Sequence, residues 1–180
     1  NREGNNINTG ITSLLVKTSD WSGNINCDYL VLECDEHYIP IVFRDLKLDS
    51  FVVLNFFRDQ LDRTGEVETL IQKIDKFLDG YTGNLILNSD DPNVSRLGFS
   101  KNKCKVYYYG VEKYKGATSN MHDRGEGKYC PFCSKRLEYE YYQYSHVGKF
   151  ICPGCDFGHN EINSIVSDIN LKKGSFSYNG

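Results

Sequence analysis

No apolar run in this 180-residue sequence approaches the length of a membrane span, and no stretch has the layout of a signal peptide. Both absences predict a cytoplasmic protein. Excess positive charge is missing too: the formal net charge is -3, which argues against non-specific nucleic-acid binding as the main business. There is no GxxxxGK[ST], so the chain carries no visible triphosphate cradle of its own. Either it does not use a nucleoside triphosphate, or the cradle lies in polypeptide upstream. An even cysteine count is also lacking. Seven cysteines at uneven spacing do not make the disulfide framework of a small secreted domain, and fit a reducing compartment instead.

What is present begins with residues 31–66, VLECDEHYIPIVFRDLKLDSFVVLNFFRDQLDRTGE. Two apolar runs, 29–32 and 51–54, each stop at a polar cluster: Glu33, Asp35 and Glu36 after the first, Asn55, Arg58, Asp59, Gln60, Asp62 and Arg63 after the second. Short runs of this kind predict parallel strands over 28–34 and 50–54 with functional groups at their carboxyl ends, where open α/β sheets place ligands. Ile7, Ile11, Leu14 and Leu15 share one helix face, and Pro40 suits the first turn of a short helix through Leu46. Residues 66–79 carry the strongest helical stripe. Further strands are expected at 84–87 and 103–110, with the Asp91-Pro92 step making a turn or a helix start. The alternation predicts an α/β fold: a mostly parallel sheet with helices on both faces.

Composition changes after residue 116. GATSNMHDRGEGK has no apolar period and reads as a loop, after which CPFC at 130–133 and CPGC at 152–155 stand 18 residues apart. Two such knuckles bring four thiolates to one ion, the four-cysteine pattern of a structural zinc ribbon with Cys130, Cys133, Cys152 and Cys155 as ligands. Residues 137–144 and 146–151 would form its hairpin. A redox role suits one CxxC pair in isolation better than two. Tyr139, Tyr141, Tyr142 and Tyr144 could stack bases, but core or protein contact is the preferred reading. Two strand candidates, 162–169 and 174–178, return to the main body, so the ribbon reads as an insertion.

A carboxylate at a strand end, such as Glu33, is commonly matched by magnesium accompanying phosphate; the bland alternative is a solvated loop. Arg58 and Arg63 could grip phosphate oxygens or merely pair with Asp59 and Asp62.

Together, NREGNNINTGITSLL, YLVLECDE followed by IP, VVLNFFRDQLDRTGE, LILNSDDP and the inserted cysteine pairs resemble the central ATP-binding domain of the Mur ligase family, in its MurT-like, amidating branch. The resemblance implies a P-loop-type domain over 1–128 and 158–180, with the ribbon inserted at 129–157. It also implies a C–N bond-forming ligase of peptidoglycan synthesis. ATP would convert the α-carboxyl of D-glutamate in the lipid II stem peptide to an acyl phosphate, and ammonia from a separate GatD-like glutaminase subunit would attack it. Carried over residue by residue, Glu33 becomes a magnesium ligand. Gly4 and Asn5 form the loop beside the γ-phosphate, and Asn55, Asp59 and Gln60 form the NxxxD[H/Q] element, with Arg58 beside them. Gln60 stands where ordinary Mur ligases have histidine but still offers an oxygen. Lys73 is one residue out of the offset expected for the family's carbamylated lysine.

The start of the chain, with a helix pattern at once and no strand before it, suggests a piece excised from a longer protein. On the resemblance, the P-loop would lie upstream, and the adenine site and C-terminal domain downstream. Two other readings stand beside this one: a non-catalytic zinc-ribbon module binding protein or nucleic acid, and a Mur-like enzyme joining an amino acid rather than ammonia.

Overall fold

A computed structural model describes residues 8–44, 46–57, 67–99, 101–120 and 126–180. Their elements in order are α1 (Asn8–Thr18), α2 (Ile39–Val42), β1 (Ser50–Val53), α3 (Val67–Leu78) and β2 (Asn84–Asn88). Then come α4 (Pro92–Ser95), running into a 3-10 turn at Arg96–Gly98, β3 (Lys105–Val111), β4 (Glu138–Tyr144), β5 (Val147–Ile151), β6 (Ser164–Asn170) and β7 (Ser175–Asn179). They fall into two compact units, one from residues 8–48 and 67–78, the other from 49–57 and 79–180.

The first unit is helical. In α3 the spacing of Leu70, Ile71, Ile74 and Leu78 puts all four on one buried stripe, while Glu68 in the first turn and Lys76 in the last complement the helix dipole. Burying side chains of this size contributes about 1.5–3 kcal/mol each. The short helix α2 touches both α1 and α3. It ends at Val42, sooner than the expected Leu46, because Phe43 turns out of helical geometry as its N–H closes onto the Ile39 carbonyl.

The expected strand over 28–34 is absent. These residues have no ladder partner among the described residues, and Tyr29 and Val31 stand in solvent, 89% and 87% exposed. A run buried on both faces was the reason for expecting a strand, and here only Leu32 and Cys34 are even partly buried. Glu33 consequently sits on an exposed loop rather than at a strand end.

The second unit holds a five-stranded sheet in the order β1-β2-β3-β6-β7. The first four strands run parallel, with Phe51 beside Leu85, Leu85 beside Val106 and Tyr109 beside Ser164; β7 returns antiparallel on β6. The mostly parallel sheet is the one the strand–helix alternation predicts. Alternation along each strand sends Phe51, Val53, Leu85 and Leu87 into the core, the last two with no exposure at all. Asn163 extends the sheet just before β6: its N–H donates to the Tyr108 carbonyl and its side-chain oxygen accepts from the Tyr108 N–H, both at 2.8 Å. Between β3 and β6 the chain makes its longest excursion, which contains the two-stranded sheet β4-β5.

Candidate metal centre and the carboxyl edge of the sheet

The four paired cysteines converge. Cys130 and Cys152 are buried, Cys133 and Cys155 partly so, and the four sulfurs lie within 4.8 Å of one another. Two cross-pairs are closer, Cys130 to Cys155 at 3.5 Å and Cys133 to Cys152 at 3.3 Å. Those separations are far beyond a disulfide bond. They approach the sulfur–sulfur edge of about 3.8 Å implied by four bonds of about 2.3 Å to a tetrahedral ion.

Each knuckle is shaped by its own backbone. The Cys130 N–H donates to the Lys135 carbonyl at 2.8 Å, the Ser134 N–H donates to Cys130, and Ser134 takes a left-handed φ of 59° to close the turn. In the second knuckle the Cys152 N–H donates to Phe157, and the Gly154 N–H reaches the Cys152 sulfur at 3.4 Å. Behind the sulfurs, Leu137, Phe150 and Phe157 form a small core with Tyr139 packed against it.

Electrostatics favour a shared cation. Burial opposes ionisation of Cys152, yet the Gly154 N–H and the three neighbouring thiols together lower its pKa to about 7. At Cys155 the Phe157 N–H favours the thiolate, but burial and the other sulfurs push the thiol up to about 12. Four thiols this crowded do not all ionise by themselves, and a divalent ion removes the conflict.

The hairpin is seated on the carboxyl end of β2 by polar groups buried to an unusual depth. Asp90 and Asp91 are 1% and 0% exposed. Asp90 accepts from the Val111 N–H at 2.8 Å and lies 2.7 Å from Nε2 of His159, just past the second knuckle. Its carbonyl accepts from the Gly148 N–H on β5. Asp91 caps α4 by accepting from the Asn93 N–H at 2.8 Å and also accepts from the Phe56 N–H at 3.1 Å. His146 places Nε2 3.3 Å from Asp91 Oδ1, but neither ring nitrogen finds hydrogen-bond geometry, so this is a close polar contact rather than a bond. Gln143 completes the seat, donating to the carbonyls of Val111 and Glu112 at 2.8 and 3.0 Å.

Asn55, one residue beyond the run that forms β1, meets both layers. Its side-chain oxygen accepts from Asn88 Nδ2 at 3.0 Å and from the Tyr144 hydroxyl at 3.3 Å. Phe57 stacks on Tyr144 at 5.8 Å and tilts against His146 at 5.0 Å. The other ribbon tyrosines divide as core residues do: Tyr141 and Tyr142 are buried, and Tyr139 stacks on Tyr142 at 4.2 Å.

Of the residues singled out from the sequence, the four cysteines are brought together. Glu33 is exposed, while its neighbours Asp35, Glu36 and His37 hold ligand atoms within 4.8 Å of one another. Lys73 is exposed on α3. Gly4, Asn5, Arg58, Asp59 and Gln60 lie outside the described residues. Asp90, Asp91, His146 and His159 did not figure among the expected site residues; a DDP step one residue after a strand was the available signal.

The mostly parallel sheet with its helices has the fold of a solved peptide ligase. A pseudomurein peptide ligase type C from Methanothermus fervidus superposes with a TM-score of 0.59, covering 79% of this chain and 28% of that one at 23% identity, a likeness of fold alone. No protein-family model matches the sequence. The particular relatives are MurT subunits of lipid II isoglutaminyl synthase (glutamine-hydrolyzing). Those of Staphylococcus aureus strains COL and N315 are each 33% identical over 175 residues, 95% of this chain and 37% of theirs. The MurT of Streptococcus pneumoniae strain R6 is 35% identical over 158 residues, 86% of this chain and 34% of its own. The chain thus spans little more than a third of the relatives it matches, and the resemblance to the MurT-like branch of the Mur ligases holds over most of its length.

Proposed function

We propose that the chain is the central-domain portion of an ATP-dependent carboxylate–amine ligase subunit acting in peptidoglycan synthesis. The observation that carries this is the similarity to MurT over 95% of the chain, in a sequence whose four paired cysteines converge on one point. On this reading an oxygen of the D-glutamate α-carboxylate in lipid II attacks the γ-phosphorus of ATP and ADP departs. Ammonia then attacks the acyl carbon, phosphate leaves with the bonding electrons, and the released proton passes to solvent. A carboxylate resists amines until its oxygen becomes a leaving group, which is why the phosphoryl step must come first.

Cys130, Cys133, Cys152 and Cys155 would hold zinc. Four thiolates leave no open position for water, so the ion supplies folding energy rather than chemistry. Magnesium, where bound, offsets charge on the transferring phosphoryl group; Glu33 is the residue assigned to hold it. Gly4, Asn5, Asn55, Arg58, Asp59 and Gln60 are assigned to the nucleotide and acyl phosphate. The ammonia donor is a glutaminase subunit of the GatD type, matching the word "subunit" and the phrase "glutamine-hydrolyzing" in the relatives' names.

The test uses the full-length protein with its glutaminase partner, lipid II, ATP and isotopically labelled glutamine. Amide nitrogen arriving in the stem peptide only when ATP is present supports the reading. Transfer of an amino acid instead of ammonia would overturn it in favour of an ordinary peptide-bond-forming Mur ligase.

A further inference from the structure

The carboxamide of Asn55 is oriented by a chain of hydrogen bonds whose direction can be worked out. It begins at the Asp90 backbone N–H, which can only donate, and donates to Asn88 Oδ1 at 2.9 Å. With its oxygen so engaged, Asn88 presents Nδ2 to Asn55 at 3.0 Å, and the atom of Asn55 facing it must be an acceptor. That atom, Oδ1, is the one the Tyr144 hydroxyl also reaches at 3.3 Å. Asn55 is exposed, and its Nδ2 has no partner among the described residues. Two hydrogens are therefore held at the carboxyl end of the sheet, facing away from the two groups that fix the oxygen.

Tyr144 comes from the far end of β4, on the hairpin whose core contains the cysteines. Its ring is half exposed and is kept in place by stacking on Phe57 with an interplanar angle of 21°. Among the described residues, only its hydroxyl connects the hairpin directly to the Asn55 side chain.

We propose that Tyr144 is a positioning residue for Asn55: with Asn88 it holds the carboxamide so that Nδ2 donates to a phosphoryl oxygen of the ligand, and the metal-bound hairpin thereby acts on the ligand site. This rests on the ligase reading for the identity of the ligand, but the positioning itself does not. A residue supporting a ligand-contacting group in this way typically changes activity 10- to 100-fold when removed. Without the hydroxyl one of the two bonds to Oδ1 remains, the one from Asn88, and the carboxamide is held less firmly; where it turns over, its oxygen faces and repels the phosphate.

The test compares Tyr144→Phe, Asn55→Ala and the double variant in the full-length protein with its partner subunit. Tyr144→Phe keeps the ring stack and should keep the zinc content. Its kcat/KM for ATP-dependent amidation should fall about tenfold. The double variant should be no worse than Asn55→Ala alone, because the hydroxyl acts only through Asn55. Independent losses that multiply would overturn the proposal.

A second readout does not depend on activity. In the 15N-labelled chain, the side-chain amide resonances of Asn55, assigned by their loss in Asn55→Ala, should move in Tyr144→Phe and on stripping zinc with a chelator. Resonances that stay in place in both cases would overturn the positioning role. Should the wild type show no ATP-dependent amidation, the ligase reading fails by itself, and the resonances still decide whether Tyr144 orients Asn55.

Discussion

His159 Nε2 and Asp90 Oδ1 lie 2.7 Å apart, joining the exit of the cysteine hairpin to the end of a central strand through a carboxylate that is 1% exposed. The same carboxylate accepts from the Val111 N–H, so it serves the sheet and the hairpin at once. Asp90→Ala leaves both half-buried groups without this partner. We expect a loss of about 1–2 kcal/mol in urea denaturation, because a donor left unmatched costs about 1–3 kcal/mol when fully buried and less where water reaches it.

Asp91 makes a separable contribution. Its two oxygens accept from the Asn93 and Phe56 N–H groups, so Asp91→Ala removes the α4 cap and an anchor for the segment after β1. Loss of such a cap costs about 1 kcal/mol, and the second unmatched donor adds to it. Amide hydrogen exchange at Phe56 and Asn93 should accelerate in the variant while β5 amides keep their protection.

Metal removal should act on the hairpin first. Around the sulfurs only Leu137, Phe150 and Phe157 add buried apolar side chains, so the knuckles have little to hold them once the sulfurs are released. The purified chain is expected to hold one zinc and to protect four of its seven thiols from modification. Cys152→Ser should abolish stoichiometric zinc and expose the remaining three. Equal thiol reactivity with and without a chelator would refute the site.

Gly148 tolerates no side chain. A Cβ there would run into the Tyr141 carbonyl across the hairpin, and the residue's N–H is engaged by the Asp90 carbonyl at 2.8 Å. Gly148→Ala is expected to destabilise the protein by about 1–3 kcal/mol, the usual range for overpacking, measured as a shift of the denaturation midpoint. Gly80→Ala, where a Cβ meets nothing within 4 Å, is the matched control.

Alkaline pH offers a test of the buried tyrosines. Burial raises the phenols of Tyr81 and Tyr108 to about 12 and those of Tyr109 and Tyr139 higher still. The unfolded chain loses phenolic protons from about pH 10, while the folded chain retains them. Their stabilisation is therefore complete below about pH 10 and is lost as pH rises towards and through the folded values. The part of the tyrosinate absorbance that comes from these four phenols should accordingly appear together with unfolding, late and cooperatively, rather than as a gradual titration.

The periodic elements were legible in the sequence because their signals are local. The stripe of α3 and the short apolar runs of β2 and β3 announce themselves within a dozen residues, and CxxC spacing is itself a statement of geometry. Residues 28–34 show the opposite case. Their composition suits a strand, but strandhood is a relation to a neighbour, and no described strand pairs with them. The Asp90–His159 and Asn55–Tyr144 relations span 69 and 89 positions, so no pattern within either segment marks them. A histidine near a cysteine knuckle looks like a spare ligand until the sheet brings an aspartate to it.

The excursion between β3 and β6 begins and ends at neighbouring points. Glu112 donates to the Val166 carbonyl, and Asn163 donates to the Tyr108 carbonyl, so the two strands close the gap whatever lies between them. Such a junction is tolerant of cargo: the order of the sheet is indifferent to the length of the loop it brackets. The intervening segment could be exchanged for a short linker with the β3–β6 ladder still formed. What the exchange would forfeit is the ceiling over Asp90 and Asp91, turning an interior acidic pair into a solvent-facing one at the rim of the sheet.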